Sequence, residues 1–173
     1  GRTGKMFAVE HSGIEPDIIC MAKGIASGFR FAALGTRREL DDKWPTGSHG
    51  GTYGGNAMGC AAALATIDIM ADPAFLENVN ARGAQLQAGI RERQQEHSTI
   101  TQVRGLGLMV GTEFDDAARV SAITKHCLEE GRLILMNAGT YGRTLRWMPP
   151  LVVNEREIDL ALAAFGAALK ATA

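Results

Sequence analysis

A single proline divides this sequence. From Ala57 to Met70 strong helix formers run without a breaker, and the run stops at Asp72-Pro73. Proline has no N–H to donate and its ring clashes with the preceding turn, so one helix cannot pass through it. Beyond it the texture changes. Phe75 to Gln95 carries Phe75, Leu76, Val79, Leu86 and Ile90 at helical spacing above a polar opposite face. A chain punctuated in this way folds in two parts, with a boundary expected near residues 70–75.

The second part, 73–173, reads as a compact α/β unit. Ile100 to Val103 and Leu106 to Phe114 flank a glycine-rich bend and predict a hairpin, and Ala117 to Glu130 predicts an amphipathic helix ended by Gly131. Leu133 to Met136 and Thr144 to Trp147 predict two further strands. A closing helix is expected over Asn154 to Lys170, with Asn154 as N-cap and Glu157 three residues on in capping-box position. The first part, 1–72, is sparser. A turn-rich Gly1 to Lys5 precedes a short buried strand at Pro16 to Met21 and a second strand at Phe31 to Thr36, followed by a charged connection or short helix at Arg37 to Lys43.

Composition narrows the function. With 18 basic and 19 acidic residues the net charge is −1, so no basic stripe points to nucleic acid. No apolar run approaches the roughly 18 residues of a membrane span. Three cysteines without a CxxC pair predict reduced thiols in a cytoplasmic protein, and the four histidines stand at no metal-ligand spacing.

Three features carry chemistry. Lys23 ends the apolar run Pro16-Asp17-Ile18-Ile19-Cys20-Met21-Ala22 and opens the flexible Gly24 to Gly28 stretch. An amine held in a partly desolvated pocket loses its proton readily and attacks carbonyls to form a Schiff base. The alternative is a lysine where a strand emerges into solvent. The second feature is the loop Ser48-His49-Gly50-Gly51-Thr52-Tyr53-Gly54-Gly55-Asn56, in which glycines around one threonine offer N–H donors and a hydroxyl suited to a phosphate. No Gly-Lys-Ser/Thr closes it as a P-loop, and a mobile surface loop is the other reading. The third is Arg146, set between Leu145 and Trp147, where burial demands an anion; an edge-strand arginine paired with a surface carboxylate is the alternative. Gly105-x-Gly107-x-x-x-Gly111 misses the dinucleotide spacing and is read as a bend. Asp115-Asp116 reads as a helix N-terminus and His49 as a satisfied loop histidine, and for Arg2, Arg37, Arg38 and Arg104 a solvated-surface reading stays open.

In this order, Gly1-Arg2-Thr3-Gly4, the 16–24 run ending Lys23-Gly24, His49 to Asn56 and Leu145-Arg146 to Leu151 resemble the class III pyridoxal-phosphate-dependent aminotransferases, most of all the 4-aminobutyrate (ω-amino acid) group. The resemblance spans residues 1 to about 170. It implies an α/β fold: the C-terminal part of a fold-type I transferase, in which 1–72 ends the large cofactor domain and 73–173 is the small C-terminal domain. It implies that Lys23 binds pyridoxal 5'-phosphate and shuttles protons, that Gly51 and Thr52 hold the cofactor phosphate across a homodimer interface, and that Arg146 grips the substrate carboxylate. The reaction implied passes an amino group from an ω-amino acid or related amine to a 2-oxo acid.

The sequence departs from that pattern in places. Gly1 falls inside a motif that in relatives reads Asp-Glu-x-x-x-Gly-x-Gly-Arg-Thr-Gly, so the aspartate that pairs with the pyridine nitrogen is expected upstream and the chain alone is expected to be weakly active. Arg30 and Ala57 stand where relatives usually carry proline, which predicts looser cofactor loops. Two other readings stay open: a non-catalytic fragment that self-associates through apolar surface, and aminomutase or dialkylglycine decarboxylase chemistry on the same lysine.

Overall fold

Strand alternation and helical period sort the chain into elements that a computed structural model describes for residues 1–172. They fall into two compact units, Val9–Pro73 and a second in which Gly1–Ala8 joins the chain from Ala74 onward.

In the second unit a four-stranded antiparallel sheet is built from β3 (Ile100–Leu106), β4 (Met109–Phe114), β5 (Met136–Ala138) and β6 (Thr144–Trp147), in the order β3-β4-β6-β5. The helices are α3 (Pro73–Glu96), α4 (Ala117–Glu129) and α5 (Glu155–Ala171). Period-2 alternation splits the sheet into two faces. Val110, Thr112, Phe114, Leu145 and Trp147 point inward and are buried with Leu86 and Ile90 of α3, Ile123 of α4 and Phe165 of α5. The buried Thr112 hydroxyl accepts the Trp147 indole N–H at 3.0 Å, which satisfies both polar groups. Phe165 meets the Trp147 ring edge-on, with centroids 5.1 Å apart.

The caps follow the sequence. Asp116 accepts from the Ala118 N–H at the start of α4, so the Asp115-Asp116 pair serves a helix N-terminus. At α5 the capping box is complete: Asn154 accepts the Glu157 N–H at 3.0 Å and Glu157 accepts the Asn154 N–H at 2.9 Å.

Two strand assignments shift. The hairpin turns at Gly107-Leu108, so Leu106 ends β3 instead of opening β4. The strand expected at Leu133 to Met136 lies at Met136–Ala138. Leu133 N–H donates to the Cys127 carbonyl at 2.8 Å, and Leu133 and Leu135 pack against the core, so their apolar spacing records packing without strand pairing.

The opening residues are fastened to this unit. The Leu108 N–H donates to the Arg2 carbonyl at 2.9 Å, and the Arg2 guanidinium donates to the carbonyls of Pro149 at 2.8 Å and Leu108 at 3.3 Å. Gly107 permits this approach: its φ is +51° and a Cβ there would stand 2.6 Å from the Arg2 carbonyl oxygen.

The Val9–Pro73 unit is slighter. β1 (Ile18–Ala22) and β2 (Ala32–Thr36) form a two-stranded antiparallel ribbon that pairs Cys20 with Leu34. A short helix α1 (Arg38–Asp41) follows, then α2 (Ala57–Ala71), capped by Asn56, which accepts the Gly59 N–H at 3.0 Å. Ile25, Ala26 and Ala63 are the buried centre of the cluster. The strand at 16–21 is expected to be buried, yet Ile18 is 48% and Leu34 49% exposed. A ribbon with one pairing partner and one short cluster beneath it cannot cover both faces. Among the described residues no single helix is long and apolar enough to cross a membrane.

Candidate active site

The lysine at the end of β1 stands where the strand tightens at once into a 3-10 turn, Lys23–Ala26. This places the Lys23 backbone at φ +54°, in the left-handed region, and Ser27 follows at φ +46°. For an L side chain that conformation costs roughly 1–2 kcal/mol, so two such residues within five positions mark a segment whose shape is imposed by the packing of Ile25 and Ala26 beneath it. Lys23 itself is exposed, and its amine has no hydrogen-bond or ion-pair partner among the described residues. Within this unit the solvent-facing alternative describes its surroundings; the desolvated pocket does not.

The glycine loop forms two successive turns. The Gly54 N–H donates to the Gly51 carbonyl at 2.9 Å, which places Thr52 and Tyr53 at the corners of a β-turn, and the Asn56 N–H then donates to the Tyr53 carbonyl at 3.2 Å. Gly51 and Thr52 are exposed, and a Cβ added at Gly50 or Gly51 would meet nothing within 4 Å. The loop therefore offers an open backbone and an unpaired threonine hydroxyl. His49 stacks edge-on against Trp44 with ring centroids 4.8 Å apart, as a satisfied loop histidine does.

Arg146 stands on β6, between β4 and β5, so it is not an edge-strand residue. It has no carboxylate partner among the described residues, and its Nε is shut off from solvent without a hydrogen bond. One terminal nitrogen rests 3.3 Å from the Met136 sulfur, a weak acceptor. A partly buried guanidinium with an unspent N–H is an anion site in waiting. It lines a cavity of about 480 Å³ on the outer face of the sheet, together with Thr3, Arg104, Leu106, Met109 and Thr144.

For Arg2 and Arg104 a solvated-surface reading stays open in the sequence, and the structure gives both more to do. Arg2 is partly buried against the hairpin tip, and desolvation pulls its guanidinium below the ordinary value. Arg104 pairs with Glu113 and reaches Thr144 Oγ1 at 3.4 Å. Only strand register reveals that Arg104, Gly111, Arg146 and Met136 form one row across the sheet. Lys23, Gly51 and Thr52 belong to the Val9–Pro73 unit, and Arg146 to the other.

The profile of the aminotransferase class-III family matches residues 1–169. The chain belongs to the class III aminotransferases. It is 40% identical over 162 residues to an acetylornithine aminotransferase of Caldanaerobacter subterraneus, covering 94% of this chain and 40% of that protein. It is 41% identical over 170 residues to the 5-aminovalerate aminotransferase of Pseudomonas putida, again covering 94% and 40%. Among solved structures, the ornithine aminotransferase of Toxoplasma gondii superposes with a TM-score of 0.88 at 28% identity over 98% of this chain and 40% of its own. A Bacillus anthracis aminotransferase gives 0.88 at 30% identity over 98% and 42%. The chain thus spans about 40% of the length of the curated relatives it matches, and over that span its α/β fold is theirs.

Class III aminotransferases depend on pyridoxal phosphate. The cofactor presents an aldehyde and a phosphate dianion. The donor set here fits both groups: an unpaired primary amine at Lys23, and an unpaired hydroxyl at Thr52 beside the open backbone of Gly50 and Gly51.

Proposed function

We propose that this chain carries the cofactor-binding lysine and the substrate carboxylate clamp of a pyridoxal-phosphate-dependent aminotransferase that moves an amino group from an ω-amino acid or related amine to a 2-oxo acid. The observation that carries this reading is Lys23: an unpaired amine on a left-handed backbone at the end of a strand, in a chain of this family. Pyridoxal phosphate, when bound, supplies the electron sink that lets a bond at the substrate's amine-bearing carbon break. Lys23 Nζ would hold the cofactor aldehyde and, once released, would take the proton from that carbon and deliver it to the cofactor carbon that bore the aldehyde. Thr52 Oγ1 and the Gly51 N–H bind the phosphate and orient the ring. Arg146 binds the substrate carboxylate through its guanidinium, which holds the reacting carbon in place.

The named substrate of the Pseudomonas putida relative, 5-aminovalerate, bears its amine at the end opposite its carboxylate, and this supports the ω-amino acid assignment. In this reading residues 1–72 belong to the cofactor domain and 73–173 form the small domain. The enzyme is a cytoplasmic homodimer. Three free thiols support the compartment. The exposed Met58, Leu64 and Ile69 of α2 support self-association, at 70%, 62% and 60% exposure. Those same residues favour a second reading, a self-associating segment without catalysis.

Absorbance separates the two. The chain mixed with pyridoxal phosphate should develop a visible band that Lys23→Ala abolishes and Thr52→Ala weakens. A chain that self-associates but gives no lysine-dependent band would exclude the catalytic reading.

A further inference from the structure

The outer face of the sheet holds two guanidiniums and one carboxylate in a small space. Arg104 on β3, Gly111 on β4 and Arg146 on β6 are successive partners in the ladder, so both arginines project from the same face with a bare glycine between them. Gly111 matters through what it lacks. A Cβ there would lie 3.3 Å from Thr144 Cγ2, a tight contact, and 3.9 Å from Arg104 Cγ, an ordinary one, so the bare glycine leaves room beside Thr144 between the two arginines. Glu113, two residues along β4 on the same face, takes the Arg104 guanidinium, and Gln102 and Thr144 accept from it as well, at 2.8 Å and 3.4 Å. Arg146 has no such partner among the described residues, and its Nε remains unpaired. The remaining wall is largely apolar: Leu106, Met109, Val110 and Ala138.

Resting on the reading of Arg146 as the carboxylate clamp, we infer that Glu113 sets the charge of this pocket: by occupying Arg104 it leaves one guanidinium open, so the pocket takes a single carboxylate carried on an aliphatic chain. Two guanidiniums and one carboxylate give the face a net charge of +1. One ligand carboxylate neutralises it through Arg146. A second carboxylate on the same ligand would have to displace Glu113 from Arg104 or sit against it, and like charges at that range repel. A ligand with two carboxylates must therefore place the second outside this pocket. Glu113 is a specificity-determining residue here, although it touches Arg104 and not the ligand.

Valerate and glutarate are the probes, because both have five carbons and they differ by one terminal carboxylate. Each is titrated into the whole chain, with NMR shifts of the β4 and β6 amides as the readout. The wild type is expected to bind valerate more tightly than glutarate. Glu113→Gln frees Arg104 and is expected to tighten glutarate by about fivefold or more while valerate moves less than about twofold. Arg104→Gln combined with Glu113→Gln is expected to return glutarate to its wild-type weakness, and Arg104→Gln alone guards against a Glu113→Gln chain that does not fold. If glutarate fails to tighten in Glu113→Gln while Arg146→Met still abolishes valerate binding, the inference about Glu113 is overturned and the clamp stands. If valerate shifts no β6 amide, or binds equally well in Arg146→Met, the clamp reading itself fails and this inference falls with it.

Discussion

The two units differ in how much of themselves they bury. From Ala74 onward, sheet and helices close eighteen buried apolar residues into one core, whereas Val9–Pro73 gathers three, Ile25, Ala26 and Ala63. Stability grows with the apolar area removed from water, so the larger unit can hold its shape unaided and the smaller one has little to resist opening. The chemistry is divided the other way. The proposed cofactor residues Lys23, Gly51 and Thr52 stand on the thinly packed unit, and Arg146, the proposed carboxylate clamp, stands on the well-packed one. Arg146 can therefore be positioned by its own sheet. The left-handed backbone at Lys23 rests only on the packing of Ile25 and Ala26 beneath it.

Hydrogen exchange tests that contrast most severely. Amides of β4, β6 and α3 should exchange about a thousandfold or more slowly than those of β1 and β2. Similar protection in both units would break the comparison. Next in size, Phe165→Ala should cost about 3–5 kcal/mol in urea unfolding of the larger unit, because Phe165 is fully buried against Trp147. Exchange in β1 and β2 should not change. A loss shared by both units would show that they unfold as one.

Smaller effects sharpen the picture. Asn154→Ala removes one half of the capping box and should cost about 1 kcal/mol, read in the same urea titration. Cys127 provides a pH test. Burial pushes its thiol up from 9.0 to about 11, so the folded state holds the proton longer than the unfolded chain does. Its contribution is complete below about pH 9 and is lost as pH rises through 11. Stability of the larger unit should decline across that window, and Cys127→Ala should flatten the decline. An unchanged slope in that variant would assign it to other groups.

Much of the larger unit was legible in the sequence because its signals are local. The Asp72-Pro73 break, the Asn154/Glu157 box and the 3.6-residue period of α4 and α5 each act within a few residues. Leu133 to Met136 misled for the opposite reason: core packing and strand pairing demand the same apolar spacing, and only the hydrogen bond from Leu133 to Cys127 distinguishes them. The candidate residues divide along the same line. Lys23 and the Gly51-Thr52 turn announce themselves through neighbours in sequence. Arg104 carried a solvated-surface reading and Glu113 drew none, because the partners of each lie on other strands.

By itself, then, the sequence determined most of the elements and the order of lysine, glycine loop and arginine that marks a class III aminotransferase. Periodicity, caps and backbone restriction all act at short range. Tertiary structure alone decided which charges meet. A β-strand shows each residue's face but not its neighbour, and register across three strands put Arg104 and Arg146 on either side of Gly111, with Glu113 claiming one of them. It also decided that the ribbon below Lys23 stays half open, since burial depends on how many elements pack over a strand and not on how apolar the strand is.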